Sequence, residues 1–396
     1  MKTVLLIGDG ASDRPLPELN GKTPLETAVK PHLDNLCTAG CLGLATMLPA
    51  GVPVGTDTVL LSLLGQNASQ LPGRAHVEAA GMGIMLSRND YAWRLNLVSI
   101  SSEGYMLSHS GGGISADGGR QLILDLLQHP SLYRLLKEAG FRLQAGSGFR
   151  HLLVHKEDLG IATTPPHDIL GQQVDQYLPT GDGGQLTALM NRANLFLEQH
   201  PINCQRVKAG RLPANGIWPW GGGQGAALIP FSRLYGRKGC CIAAVPVVKG
   251  IAALVGLFTP DIAGATGNLN TDWLAKVTAA IDALKSGYDF ALVHLEAPDE
   301  CAHRGDFQGK IKAIEILDSM AQALHMGLET LGEHYRLLVM SDHATPVSIR
   351  SHSADSIPFF IYDSQIKTGC GLPFDERTAA STCCQIPGDK LLRLLI

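Results

Sequence analysis

Three short apolar runs, at residues 3–7, 289–295 and 336–340, each give way to side chains that can hold a metal ion. The runs are rich in Val, Leu and Ile and lack the polar alternation of a half-exposed strand, so each predicts a strand buried on both faces. Residues 241–248 and 359–362 are further strand candidates. Between the runs, residues 310–331 place Ile314, Leu317, Met320, Leu324, Leu328 and Leu331 three or four apart, which makes one apolar helical stripe. Residues 272–285 follow the same pattern, and 25–39 predicts a helix that ends near Gly40. Buried strands alternating with amphipathic helices predict an α/β fold with a mostly parallel sheet flanked by helices.

The middle of the chain differs in texture. Residues 73–235 carry glycine clusters at 111–113 and 221–223, many prolines, and helical stretches near 119–140 and 184–199. They predict a smaller α+β domain inserted into a core formed by 1–72 and 236–396. The total of 396 residues is ample for such a pair of cores.

Hydrophobic residues make up 45% and charged residues 17%, the balance of a folded globular chain. A net charge of −4 argues against broad nucleic-acid binding, so no nucleic-acid partner is expected. The N-terminal apolar run is only four residues long before Gly8-Asp9, too short for a secretory signal, and no later run could span a bilayer. A cytoplasmic protein with no membrane partner is the expectation. The nine cysteines are scattered without a CxxC pair, which predicts free thiols in a reducing compartment.

The first run ends at Asp9. The second leads into Glu296-Ala297-Pro298-Asp299-Glu300-Cys301-Ala302-His303, and the third into Ser341-Asp342-His343. His352 lies shortly before the run at 359–362. Ligands of an open parallel sheet bind beyond the carboxyl ends of its strands, so these residues converge on one rim. Mixed carboxylates and imidazoles suit Mn²⁺ or Zn²⁺, and six such groups are right for two ions.

Singly, each residue has a plainer reading. Asp9 can be a helix cap or turn residue, Asp299 and His303 an exposed helical face, and His343 a hydrogen-bonded core histidine. Their joint delivery by three strand ends is what points to a metal centre. Thr56, in Val54-Gly55-Thr56-Asp57-Thr58, precedes the apolar run 59–64. It is either an ordinary cap or a hydroxyl nucleophile at a helix N-terminus, where backbone amides favour phosphate.

Ordered stretches along nearly the whole chain resemble the archaeal-type cofactor-independent phosphoglycerate mutases of the alkaline phosphatase superfamily. They include Gly8-Asp9-Gly10-Ala11-Ser12-Asp13-Arg14-Pro15, Gly21-Lys22-Thr23-Pro24-Leu25-Glu26, Ser62-Leu63-Leu64-Gly65, Lys249-Gly250-Ile251-Ala252, Gly264-Ala265-Thr266-Gly267 and Asp342-His343 with His352-Ser353. The resemblance implies an alkaline-phosphatase-like core and two divalent ions, Mn²⁺ foremost and Zn²⁺ or Mg²⁺ as alternatives. One ion would be held by Asp299, His303 and His352, the other by Asp9, Asp342 and His343 with Thr56 bridging or beside them. It also implies a phospho-enzyme relay between 3- and 2-phosphoglycerate, with the inserted domain clamping this small phosphorylated substrate. In the matching stretches Arg74, Arg94, Asn96, Arg150, His151 and Lys249 are candidates for gripping its carboxylate and phosphate, each with a surface ion pair as the plainer alternative.

Two positions depart from the family pattern. Thr56 stands where the family usually has Ser, and Leu60 stands where a His is frequent. Some relatives resemble proposed homoserine kinases, and Pro213-Ala214-Asn215-Gly216-Ile217-Trp218-Pro219-Trp220-Gly221 is closer to those bacterial members. Another metal-dependent phosphotransferase or phosphomonoesterase on a small substrate is therefore the competing expectation.

Overall fold

A computed structural model describes residues 1–181, 184–366 and 368–396. The chain divides into two compact units, Met1–Leu71 with Leu228–Ile396, and Pro72–Ala227. The first unit opens with β1 (Lys2–Gly8) and β2 (Cys41–Thr46). The second holds β3 (Tyr91–Ile100), β4 (Met106–Ser108), β5 (Arg142–Ser147), β6 (Arg150–His155) and β7 (Gly216–Gln224). The first then resumes with β8 (Gly239–Ile242), β9 (Phe290–Leu295), β10 (Tyr335–Met340), β11 (Ile357–Asp363) and β12 (Gln385–Pro387).

The first unit is the α/β body that the buried runs predict. Its sheet runs β12-β2-β11-β10-β1-β9-β8. Strands β8, β9, β1 and β10 are mutually parallel, as are β12 and β2, while β11 is antiparallel to both neighbours. All residues of β1 are buried, because helices need to cover both faces of a parallel sheet. The helix Phe307–Glu329 packs Ile314, Leu317, Met320, Leu324 and Leu328 into the same core as Val4, Leu6, Val293 and Val339. Asp306 caps it by accepting from Gly309 N, and Asp272 caps Trp273–Lys285 by accepting from Ala275 N.

Prolines account for three differences from the expected elements. The run 241–248 is not one strand: β8 ends at Ile242, and Pro246 opens the helix Pro246–Leu254 at a position where its missing N–H costs nothing. The helix expected over 25–39 is two, Pro24–Thr27 and Pro31–Thr38, because Pro31 pushes Lys30 to φ −135°, ψ 54°. The stretch 119–140 likewise splits into Ala116–Gln128 and Pro130–Glu138 around an extended His129.

The second unit packs helices on an antiparallel sheet of order β4-β3-β6-β5, with β7 also pairing β3. Trp93, Leu95, Leu122, Leu126, Leu186 and Trp218 form its core. No helix among the described residues is long and apolar enough to cross a membrane. All nine cysteines are free.

Candidate metal centre

The parallel strands deliver their ligand-type residues to one rim. Asp9 follows β1, and its N–H donates to Leu295 O at the end of β9 (2.9 Å). Asp299 and His303 lie on the short helix Ala297–His303 after β9, and Asp342 and His343 follow β10. His352 joins them because β11 is antiparallel, so the residues before it lie at the carboxyl ends of its parallel neighbours. Ser353 N secures that approach by donating to Ala344 O (2.9 Å).

The result is two abutting clusters. Asp9, Asp342 and His343 offer atoms within 4.8 Å of one another, and so do Asp299, His343 and His352. His303 Nε2 lies 3.2 Å from Asp299 Oδ2 and 3.1 Å from His352 Nε2. His343 Nε2 lies 3.5 Å from Asp9 Oδ1 and 3.4 Å from Asp342 Oδ2. Thr56, at the start of the helix Thr56–Leu63, holds Oγ1 3.3 Å from the same His343 Nε2. Leu60 is 2% exposed on that helix, an apolar core residue.

The donor set fits cations. Asp9 Oδ1 and Asp342 Oδ2 are buried without a hydrogen-bond partner among the described residues, a costly state for a carboxylate oxygen unless a cation faces it. Burial, and then the charges of Asp342, Asp299 and Glu296, push the Asp9 carboxyl well above its usual range. Burial opposes ionisation of Asp299 too, but hydrogen bonds with His352 and Thr345 and the charges of His343 and His303 hold it down at about 2.

The imidazoles point the same way. His303 Nδ1 lies 2.9 Å from Arg350 O and His352 Nδ1 3.3 Å from Val54 O. A carbonyl only accepts, so both Nδ1 atoms carry a proton, and the Nε2 atom of each ring is the one turned toward Asp299 and the other imidazole. An imidazole with its proton on Nδ1 would have the Nε2 lone pair free to meet a cation placed there. This is the second-layer orientation typical of metal-binding histidines.

A charged network that sequence reasoning missed supports the floor of the site. Lys276, fully buried, donates from Nζ to His294 O (3.0 Å) and Glu296 Oε2 (3.1 Å). Glu296 Oε1 accepts from Val245 N (3.0 Å), and His294 Nε2 lies 3.6 Å from Asp9 Oδ2. Burial works against the Glu296 charge, yet His294 and Lys276 hold its carboxyl at about 2. A lysine among the apolar positions of 272–285 and a histidine inside a buried strand were the available signals. Lys276→Met is expected to destabilise the protein by about 3–5 kcal/mol, because it strands a buried carboxylate. Urea unfolding measures this, and adding Glu296→Gln should recover much of the loss.

The remaining candidates divide between the units. Lys249 lies on the helix Pro246–Leu254, with Nζ paired to the exposed Asp261. In the second unit Arg94 is buried, with Nε donating to Glu78 Oε2 (2.8 Å), Nη2 2.6 Å from Oε1, and its guanidinium 3.8 Å over the Trp220 ring. Asn96 accepts from Trp220 Nε1 (3.0 Å) and donates to His109 O (2.8 Å). Buried His151 accepts from Gly146 N (3.0 Å) and donates to Gly148 O (2.9 Å), which ties the β5–β6 turn. Arg74 and Arg150 are exposed, with side chains that find no ion pair among the described residues. Near Arg150 sits His109, its ring 6.2 Å from that of His167, and pattern reading singled out neither; His109 Nδ1 is buried without a partner among the described residues.

Comparison with known proteins agrees with this geometry. A family model described as the metalloenzyme superfamily matches residues 1–393, so the class of protein is a metalloenzyme. A 2,3-bisphosphoglycerate-independent phosphoglycerate mutase from Methanothrix thermoacetophila is 40% identical, with all of both chains covered. A probable enzyme of the same name from Geobacter sulfurreducens is 37% identical, again over all of both chains. Among solved structures, a Pyrococcus horikoshii protein matches at a TM-score of 0.78 with 28% identity, covering 100% of this chain and 96% of that one. The cofactor-independent phosphoglycerate mutase of Thermoplasma acidophilum matches at 0.68 with 26% identity, covering 100% and 99%. The chain belongs to the 2,3-bisphosphoglycerate-independent phosphoglycerate mutase family of that superfamily.

Proposed function

We propose that this protein interconverts 3-phosphoglycerate and 2-phosphoglycerate, with Thr56 carrying the phosphoryl group between the two hydroxyls. The observation that carries the reading is the Thr56 hydroxyl 3.3 Å from His343 Nε2, at a helix start beside both ligand clusters. Asp299, His303 and His352 would hold one divalent ion and Asp9, Asp342 and His343 the other, Mn²⁺ foremost. Such ions make a bound hydroxyl more acidic and neutralise phosphoryl oxygens.

The chain supplies the rest. Thr56 Oγ1 bonds to phosphorus as the bond to the glycerate 3-oxygen breaks, and the hydroxyl proton ends on that departing oxygen. Return to the 2-oxygen reverses the step. The Thr56 and Asp57 N–H groups that open the helix Thr56–Leu63 would face the phosphate. Lys249 is available to it, because an ion pair with an exposed Asp261 is weak. Arg150 and Arg74 of the second unit are the proposed carboxylate-binding residues, since their guanidinium groups have no ion pair among the described residues. Arg94, Asn96 and His151 would stiffen that surface from beneath. We also propose a cytoplasmic location, in keeping with the free thiols.

These assignments separate in one pair of variants. Arg94→Ala is expected to cost about 3–5 kcal/mol of stability by leaving Glu78 buried and unpaired. Arg150→Ala should leave stability within about 0.5 kcal/mol and raise KM instead. Thermal unfolding and steady-state kinetics on both variants check this. The function itself is tested by a coupled assay with 3-phosphoglycerate and Mn²⁺, without 2,3-bisphosphoglycerate. Turnover stopped by EDTA is expected. Silence from protein carrying two metals would shift the reading to another small phosphate ester or to an acceptor such as homoserine.

A further inference from the structure

Thr345 is fully buried and touches both ligand clusters at once. Its Oγ1 lies 2.6 Å from Asp299 Oδ1 and 3.1 Å from His343 Nδ1. Asp299 is an ionised carboxylate and can only accept, so the single hydroxyl proton of Thr345 goes to it. The hydroxyl oxygen must then accept from His343, which puts the imidazole proton on Nδ1. His343 Nε2 is thereby left as a lone pair, and Nε2 is the atom that faces Asp9, Asp342 and Thr56.

The backbone around this hydroxyl is unusually constrained. Thr345 N donates to Ser12 O (3.2 Å), and its carbonyl accepts from Lys310 Nζ (2.9 Å). Lys310, itself fully buried, spends its other two donors on Ser12 O (3.0 Å) and Asp13 Oδ2 (2.7 Å). Asp13 in turn accepts from Val347 N (3.2 Å). The segments after β1 and β10 are thus pinned together by one ammonium group. Gly10, at φ +58°, lets the hydroxyl pass: a Cβ there would come within 2.5 Å of Thr345 Oγ1 and 2.7 Å of Asp299 Oδ1.

We infer that Thr345 is a positioning residue that couples the two metal sites, orienting Asp299 in one and setting the His343 tautomer in the other. The inference rests on the proposed assignment of Asp299 and His343 as metal ligands. Loss of the hydroxyl removes a hydrogen bond from a ligand of each site and frees His343 to protonate at Nε2. Replacement of such a supporting group typically weakens metal binding about 10–100-fold. A residue that served packing alone would leave metal affinity unchanged.

The test is Mn²⁺ titration of metal-free protein, with free Mn²⁺ read by electron paramagnetic resonance, for wild type, Thr345→Val and Thr345→Ser. Wild type should bind two ions, and Ser should stay within about threefold of it. Val, nearly the same shape without the hydroxyl, should weaken both ions by about 10–100-fold. Nitrogen-15 spectra of metal-free protein, with His343 assigned by difference from His343→Asn, should show Nδ1–H in wild type and a tautomer mixture in Val. If Val does not fold, Thr345→Cys, whose thiol is a poor hydrogen-bonding group, replaces it with the same expected shift. Wild-type affinity for both ions in the hydroxyl-free variant would overturn the inference. Failure of the wild type to bind two ions would instead overturn the ligand assignment beneath it.

Discussion

Thr56→Ala is expected to lower kcat by at least about 10⁴-fold, the scale on which loss of an enzyme nucleophile acts. The fold should survive. Thr56 is half-buried at the start of its helix, and that helix is anchored by Val59, Leu60, Leu61 and Leu63, all at or below 2% exposure. Mn²⁺ stoichiometry should also survive, because the six proposed ligand side chains are untouched. Thr56→Ser restores a hydroxyl with less crowding at its β-carbon and should keep turnover within about tenfold, since only the crowding changes. Single-turnover assays with ³²P-labelled 3-phosphoglycerate check the mechanism directly: label should stay on acid-quenched wild type and Ser enzyme, and not on Ala. Near-normal turnover by the Ala variant would end the covalent proposal.

Asp342→Asn should be nearly as damaging to activity and yet make the metal-free protein more stable. Asp342 Oδ1 accepts from Gly10 N (3.1 Å) and His343 N (2.9 Å), and an asparagine oxygen can keep both bonds. Its amide would then replace Oδ2, the buried oxygen that faces His343 Nε2 without a hydrogen bond of its own. An NH₂ group there cannot ligate a cation. The proposed site should lose Mn²⁺ affinity by at least about 100-fold, and kcat should fall by at least about 10³-fold, on the scale of lost metal electrostatics.

Without metal the sign of the stability effect reverses. The negative charge of Asp342 is one reason that the Asp9 carboxyl is pushed upward, so its removal relieves repulsion in a buried place. Metal-free Asp342→Asn should therefore be more stable than metal-free wild type by about 1 kcal/mol or more. With saturating Mn²⁺ the order should invert, because ligand binding stabilises only the form that binds. Calorimetric melts of both proteins, with and without Mn²⁺, read all four states. The same order in both conditions would remove Asp342 from the ligand set.

Much of this centre was legible in the sequence, for a local reason. A buried parallel strand writes itself as a continuous apolar run, and its carboxyl end is the next polar residue. Asp9, Asp299, His303, Asp342 and His343 all sit within that reach of β1, β9 or β10. The prolines at 31, 130 and 246 were equally visible, but apolar periodicity outweighed them, and each split or ended an element.

Other features depend on contacts between residues far apart in the chain. His352 reaches the rim because β11 runs antiparallel to β10, and strand direction is not encoded in an apolar run. Arg94 looked free to grip a substrate, but Glu78 from the preceding helix already holds it. Thr345, Lys310 and Glu296 carry no local pattern, and Lys276 shows only as a lysine among apolar positions. Their roles come from burial beside a partner chosen by the fold, where a polar group has to be satisfied. The sequence alone determined which residue types arrive at the sheet's rim. The tertiary structure decided which lone pairs point inward and which charges are already spent, because hydrogen-bond direction and desolvation exist only once distant segments meet.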